Sequence, residues 1–148
     1  MKPKIIKIGG SCLANPEDIE KIIPLFNEES IILVVSAFKG VTNLLEHWYD
    51  SKQKRYLYQL QQLHEQIFLA LFPHGNFKND VSIFNLVEEV HVSGFSREYT
   101  LSLGEKLSSF IIVRYLSSRG IDISQSENDP FIIGDEFSFD LEHSIKNI

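Results

Sequence analysis

Residues 4–11 have the sequence KIIKIGGS, which predicts a short buried strand, Lys4–Ile8, that runs directly into a pair of glycines. Glycines in such a turn allow backbone N–H groups to approach an anion closely. A helix after the turn would direct its positive N-terminal end at the same place, and Lys7 would add a formal charge. The stretch therefore indicates phosphate binding, although Gly-Gly turns between strands and helices are common.

A helix and a second strand are predicted to follow the first strand. Asn15 and Pro16 form a typical helix start, with asparagine as the N-cap and proline at the first helical position. Residues 30–37 contain a β-branched run without alternation, which is typical of a parallel strand covered on both faces. We therefore expect an α/β fold in which a mostly parallel sheet carries helices on both faces, with a right-handed crossover.

The rest of the chain is predicted to be mostly helical. Apolar residues recur at helical spacing over residues 42–91, with a break at residues 73–76. A longer helix is expected over residues 96–118, ended by Arg119-Gly120. Alternation predicts a strand at residues 121–124, and residues 131–133 are expected to form another short strand or an extended stub. No internal repeat or linker divides the sequence, so we expect residues 1–148 to form one domain.

Composition excludes several classes of protein. The 148 residues are 43% hydrophobic and carry a net charge of −6 without a basic tract, which argues for one core and against nucleic-acid binding. No apolar window reaches the roughly 18 residues of a membrane span, and the basic N-terminus lacks the apolar stretch of a signal peptide. A single cysteine, Cys12, fits a reducing compartment, so we expect a cytoplasmic location. The histidines show no metal-ligand spacing, and no metal site is predicted.

A second polar segment follows the second predicted strand. Ser36 ends this strand, and Thr42 and Asn43 stand where they could cap the next helix. Ligands of open α/β sheets bind outside the carboxyl ends of the strands, so we expect Ser36 and Thr42 to lie near Lys7 and Gly9. The alternative is that the hydroxyl groups only cap a turn.

A third segment places a glycine and a glutamate inside the long predicted helix. Gly104 costs about 1 kcal/mol relative to alanine in a helix, which suggests close approach by a ligand or another backbone. Glu105 would then face a pocket and could bind the ammonium group of an amino acid. The alternative is that Gly104 packs against a neighbour and Glu105 is a solvated helix carboxylate.

Together the three segments resemble the aspartokinases of the amino-acid kinase superfamily. The matching stretches are KIGGS at 7–11, VSA at 35–37 with GVTNLL at 40–45, and SLGEKLS at 102–108. The stretch FIIGD at 131–135 is also similar. The Lys-x-Gly-Gly turn alone marks the superfamily, whereas the combination in this order is specific to aspartokinases.

The resemblance implies a role for each matching polar residue. It assigns the transferring phosphates of ATP to the first turn, with Lys7 as the catalytic lysine: Lys7, Gly9, Gly10 and Ser11. It assigns the substrate L-aspartate to three residues: Ser36, Thr42 and Glu105. The implied reaction transfers the γ-phosphoryl group of ATP, with Mg²⁺, to the side-chain carboxylate of L-aspartate. The product is 4-phospho-L-aspartate, the first intermediate toward lysine, threonine and methionine.

The sequence also departs from the aspartokinase pattern. Cys12 stands where the family usually has serine or threonine, and we expect it to be a small buried side chain. Aspartokinases continue with a nucleotide half and regulatory domains, so residues 1–148 resemble only the N-terminal, substrate-side part of the catalytic domain. We therefore expect the isolated chain to be inactive and to associate with itself or with a completing chain. The alternatives are a non-catalytic module that binds aspartate or phosphate, and another amino-acid kinase.

Overall fold

The computed structural model describes residues 2, 4–13, 15–26, 30–79, 85, 88, 90 and 95–124. Among these residues, the strands and α-helices with defined bounds are β1 (Lys4–Ile8), α1 (Pro16–Glu20), β2 (Ile31–Val35), α2 (Val41–Ser51), α3 (Lys54–Leu71) and α4 (Arg97–Ser118). Single turns of 3-10 helix lie at Gly10–Cys12, Ile23–Leu25 and Phe77–Asn79. No helix within the described residues is long and apolar enough to cross a membrane.

The two strands pair in parallel, as the β-branched run predicts. Lys4 lies opposite Ile31, and Ile8 lies opposite Val35, so both strands end at the same edge of the sheet. Every β2 residue is half-buried, which is less than the full coverage expected for this strand. The helix-rich α/β fold is confirmed.

The start of α1 follows the sequence prediction. Pro16 is the first helical residue, and the Asn15 N–H donates to the Asp18 carboxylate at 3.1 Å. This contact satisfies one end of a capping box. The helix is only five residues long, and it holds Ile19 in the core.

Two longer helices follow β2 and pack against each other. α2 and α3 are separated by Lys52 and Gln53, and Lys52 adopts a left-handed conformation with φ of 54°. α3 buries one stripe of residues at helical spacing: Leu57, Leu60, His64 and Phe68. The break predicted at residues 73–76 is confirmed, because α3 ends at Leu71.

The last described helix, α4, has the boundaries that its capping residues predict. The Ser96 hydroxyl accepts a hydrogen bond from the Tyr99 N–H at 3.1 Å at the first turn. At the other end Gly120 adopts φ of 82°, and its N–H donates to the Ser117 carbonyl at 3.0 Å. The Ile121 N–H donates to the Leu116 carbonyl at 3.1 Å, and the two hydrogen bonds together form a Schellman motif.

The prediction of a strand at residues 121–124 is wrong. These residues have no regular secondary structure, although Ile121 and Ile123 are half-buried against the core while Asp122 and Ser124 are exposed. Alternation reports only which side chains face the core, and a strand also needs a neighbouring strand with which to pair. The predicted stub at 131–133 and most of the helical pattern at 81–91 lie outside the described residues.

Candidate active site at the ends of the two strands

The turns that follow β1 and β2 meet at the sheet edge. The Ser36 N–H donates to the Ile8 carbonyl at 3.0 Å, which extends the ladder by one step beyond the strands. A Cβ atom on Gly10 would lie 2.9 Å from the Ala37 carbonyl oxygen, closer than side chains are tolerated. Glycine at position 10 therefore allows the first turn (residues 9–12) to contact the second turn (residues 36–40).

The first turn is a single 3-10 turn. The Cys12 N–H donates to the Gly9 carbonyl at 3.0 Å, and the Leu13 N–H donates to the Gly10 carbonyl at 3.1 Å. The first N–H groups of a helical turn have no partner within it, which suits them to an anion. A Cβ on Gly9 would meet no atom within 4 Å, so the turn is open on this side. α1 begins only at Pro16, so the helix expected directly after the turn is limited to this 3-10 turn.

Lys7 lies on β1, one residue before its end. Its register partner is Val34, and it is exposed whereas its neighbour Ile8 is buried. Because side chains alternate along a strand, Lys7 projects from the sheet face opposite to Ile8. Within the described part of the chain no carboxylate forms an ion pair with Lys7, so its charge is open to a ligand.

The second turn leads directly into α2. Gly40 is the N-cap of α2 in a left-handed conformation with φ of 89°, and no side chain caps the helix. The expectation that Thr42 and Asn43 cap this helix is therefore wrong, because both lie inside its first turn and are exposed. The Thr42 hydroxyl thus lies at the positive end of the helix dipole.

Gly104 provides close packing between α4 and the second turn. A Cβ on Gly104 would lie 2.8 Å from the Ala37 Cβ and 3.2 Å from the Val41 Cγ1. Of the two expectations for this glycine, packing against a neighbour is the one observed, because these contacts are with side chains and not with another backbone. The next residue, Glu105, is thereby held against the end of β2.

Glu105 is not a simple solvated carboxylate. Burial raises the pKa of its carboxyl group, and hydrogen bonds from its own N–H and that of Ala37 act against this rise. The residue as a whole remains exposed, so its carboxyl group lies beside the second turn without being enclosed by it. The structure therefore brings Glu105 together with Ser36 and Gly10 around Ala37.

The sequence reasoning missed Ser108 as a site residue. Its side chain is fully buried, and its Oγ lies 2.8 Å from the Ser36 carbonyl oxygen and 3.1 Å from that of Glu105. The signals in the sequence were its place in the SLGEKLS stretch at 102–108 and its position one helical turn after Glu105, but serine is common on helices.

The pattern of the amino acid kinase family matches residues 2–143. The chain belongs to the amino acid kinase family. Among curated proteins, an aspartokinase from Chlamydia pneumoniae is 27% identical over 143 residues. This match covers 92% of the present chain and 32% of the relative.

Solved structures of aspartokinases share the fold of this amino acid kinase chain. Aspartokinase III from E. coli, in complex with aspartate and ADP, has a TM-score of 0.61 and 19% identity over 82% of this chain. The aspartate kinase from Clostridium acetobutylicum has a TM-score of 0.63 and 21% identity over 79% of this chain. The present chain spans about a third of the length of each of these relatives.

Two further features of this amino acid kinase chain are the exposure of Cys12 and the residues that could bind a metal ion. Cys12 is exposed at the end of the first turn, so the expectation that it is buried is wrong. The described residues contain no group of three or more histidine, cysteine, aspartate or glutamate side chains that could hold a metal ion. We therefore assign no residue to a metal.

Proposed function

We propose that residues 1–148 form the substrate-side part of an aspartokinase. The observation that carries the proposal is the convergence on Ala37, which is approached by Gly10 of the first turn and by Glu105 of α4. A turn suited to phosphate and an acidic group suited to an ammonium ion thus lie at one sheet edge. The family assignment and the aspartokinase relatives support the same reaction.

The first turn would hold the transferring phosphate. The N–H groups of Gly10 and Ser11 would bind phosphate oxygens, Gly9 would leave space for them, and Lys7 would neutralise the charge of the transferred group. An oxygen of the aspartate side-chain carboxylate attacks the γ-phosphorus, and the bond from phosphorus to the bridging oxygen of ADP breaks. No proton is transferred in this step, so the protein acts mainly by positioning and charge neutralisation.

The second turn and α4 would hold L-aspartate. The Glu105 carboxylate would bind the α-ammonium group, which would also stabilise the charged form of a carboxyl group whose burial disfavours it. Thr42 would donate to a substrate carboxylate at the positive end of α2, and Ser36 would lie beside the reacting end. The expected product is 4-phospho-L-aspartate, for biosynthesis of lysine, threonine and methionine in the cytoplasm.

ATP and Mg²⁺ are the cosubstrate and metal of this proposal. Mg²⁺ binds through few protein carboxylates and is held largely by nucleotide phosphates, so it needs no cluster of protein ligands. The chain spans about a third of its relatives, and residues outside 1–148 would complete the nucleotide site. A second candidate is a module that binds aspartate or phosphate without catalysis.

The proposed function is tested by ADP release from MgATP with and without L-aspartate, using the protein as its gene encodes it. We expect aspartate-dependent release that falls by about 100-fold or more in Lys7→Ala, as for loss of one charge-stabilising donor. Lys4→Ala, on the same strand and also exposed, is the matched control and should retain activity. Absence of aspartate-dependent release would contradict the kinase proposal, and calorimetric binding of aspartate in that case would support the binding module.

A further inference from the structure

We infer that Ser108 is a positioning residue, which orients the peptide group between Ser36 and Ala37 and through it the carboxylate of Glu105. The inference rests on the proposed function, since it concerns the same site. It adds a residue that touches neither proposed substrate and acts through its neighbours.

The hydroxyl of Ser108 connects two distant parts of the chain. Its distance to the Ser36 carbonyl oxygen is 2.8 Å across a sequence separation of 72 residues. The Glu105 carbonyl oxygen, within the same helix, lies farther away at 3.1 Å. A hydroxyl has one hydrogen to donate, and the shorter distance favours Ser36 as its acceptor.

Other serines of α4 use their hydroxyl groups differently. Ser102 donates to the Tyr99 carbonyl at 2.7 Å, and Ser118 donates to the Tyr115 carbonyl at 2.6 Å. Both are bonds to the preceding turn of the same helix, which serine commonly makes. Ser108 instead reaches a strand end, so its hydroxyl contributes to the docking of α4.

The bond acts on a peptide group that Glu105 also contacts. The Ser36 carbonyl and the Ala37 N–H belong to one planar unit, in which they point in opposite directions. Ser108 binds the carbonyl end, and the N–H end lies beside the Glu105 carboxylate, whose pKa it acts to lower. Because the unit is rigid, rotation at one end would move the other, so Ser108 fixes the direction in which this N–H faces Glu105.

Ala37, which supplies the N–H of this peptide group, also borders the proposed phosphate turn. The Ala37 carbonyl oxygen contacts Gly10, and the Ala37 Cβ contacts Gly104. A shift of this segment would therefore change the placement of Glu105 relative to the first turn. Phosphoryl transfer depends strongly on such placement.

The test compares Ser108→Ala with Ser118→Ala, which removes a serine hydroxyl of the same helix that bonds only to its own turn. In Ser108→Ala we expect the KM for L-aspartate to rise about five- to thirtyfold, as for loss of one buried hydrogen bond, while the KM for ATP changes little. Amide hydrogen exchange should increase in residues 36–41. Ser118→Ala should show neither change, and Ser108→Cys, which keeps a weak donor, should recover part of the aspartate affinity.

The outcomes separate this inference from the proposed function. Equal increases in both KM values, or unchanged exchange in residues 36–41, would overturn the positioning role even if the wild-type protein is an active kinase. A wild-type protein without aspartate-dependent ADP release would contradict the proposed function. In that protein, faster exchange in residues 36–41 of Ser108→Ala alone would still support control of this segment by Ser108.

Discussion

The two longest described helices, α3 and α4, bury their residues in different ways. α3 buries a single stripe and exposes the opposite side to solvent. α4 is buried on several sides, and its buried residues are partly small or polar: Thr100, Leu103, Gly104, Leu107, Ser108, Ile111, Ile112, Tyr115 and Leu116. Ser108 and Gly104 contact Ser36 and Ala37 at the end of β2, whereas the large apolar members fill the core. A helix whose buried surface includes small and polar residues is therefore a candidate for contributing to a binding site.

α3 also contains one polar residue in its buried stripe, and this residue differs from those of α4. His64 is fully buried, its Nδ1 lies 2.7 Å from the Leu60 carbonyl, and its ring centroid lies 5.8 Å from that of Phe38. Its Nε2 has no hydrogen-bond partner among the described residues. By contrast, Thr100 and Ser108 of α4 both donate hydrogen bonds. The comparison predicts that the buried stripe of α3 is sensitive to acid.

The largest expected effect concerns His64 and acid. Burial lowers the pKa of His64 from 6.5 to about 4, so between these values the unfolded chain binds a proton that the folded chain does not. Stability should therefore fall as the pH falls from 6.5 toward 4, by about 3 kcal/mol from this group. Urea unfolding at several pH values measures this slope.

His64→Gln should reduce the acid-dependent loss, because the side chain no longer titrates. His74→Gln is the matched control, since His74 is exposed and its replacement should leave the slope unchanged. An identical slope in the wild type and His64→Gln would show that other groups cause the acid sensitivity.

The second prediction tests the close packing of α4. Gly104→Ala should destabilise the fold by about 1–3 kcal/mol, because the new Cβ would lie 2.8 Å from the Ala37 Cβ. This cost should exceed the gain of about 1 kcal/mol that alanine brings to an ordinary helix position. Ala70→Gly on the exposed side of α3 is the opposite exchange, and it should also destabilise, by up to about 1 kcal/mol. Thermal unfolding of both variants is the measurement, and a more stable Gly104→Ala would refute the packing argument.

The smallest expected effect on stability concerns the N-terminal caps of α4 and α3. Ser96→Ala should cost about 1 kcal/mol, because it removes the hydroxyl that accepts the Tyr99 N–H. Gln53→Ala at the start of α3 should cost much less, since the Gln53 side chain makes no capping hydrogen bond. Denaturant unfolding measures the free energy of unfolding of both variants. Equal losses in Ser96→Ala and Gln53→Ala would mean that the Ser96 hydrogen bond adds no stability.

Local sequence signals predicted much of the fold. Asn15 with Pro16 marked the start of α1, and Gly120 marked the end of α4, because these residues act on backbone groups next to them in the chain. The parallel pairing of β1 and β2 followed from an apolar run without alternation. Gly10 in a turn after a strand and Gly104 inside a helix were both predicted to allow close approach, and both lie close to Ala37.

The features that sequence did not predict depend on residues far apart in the chain. Ser108 acquires its role only through Ser36, and the alternation at residues 121–124 finds no strand to pair with in the described structure. Thr42 was misplaced as a cap because the left-handed conformation of Gly40 already begins α2. Cys12 is exposed because the 3-10 turn directs it outward while Leu13 enters the core.

The bond from Ser108 to Ser36 also bears on the order of folding. Chain segments that are close in sequence find each other quickly, so β1 with β2 and α2 with α3 can pair before α4 docks. A contact across 72 residues closes a much longer loop and bears a larger entropic cost. We therefore expect the carboxylate of Glu105 to reach Ala37 late in assembly. Aspartate binding, if it requires this contact, would report on completed folding rather than on an intermediate.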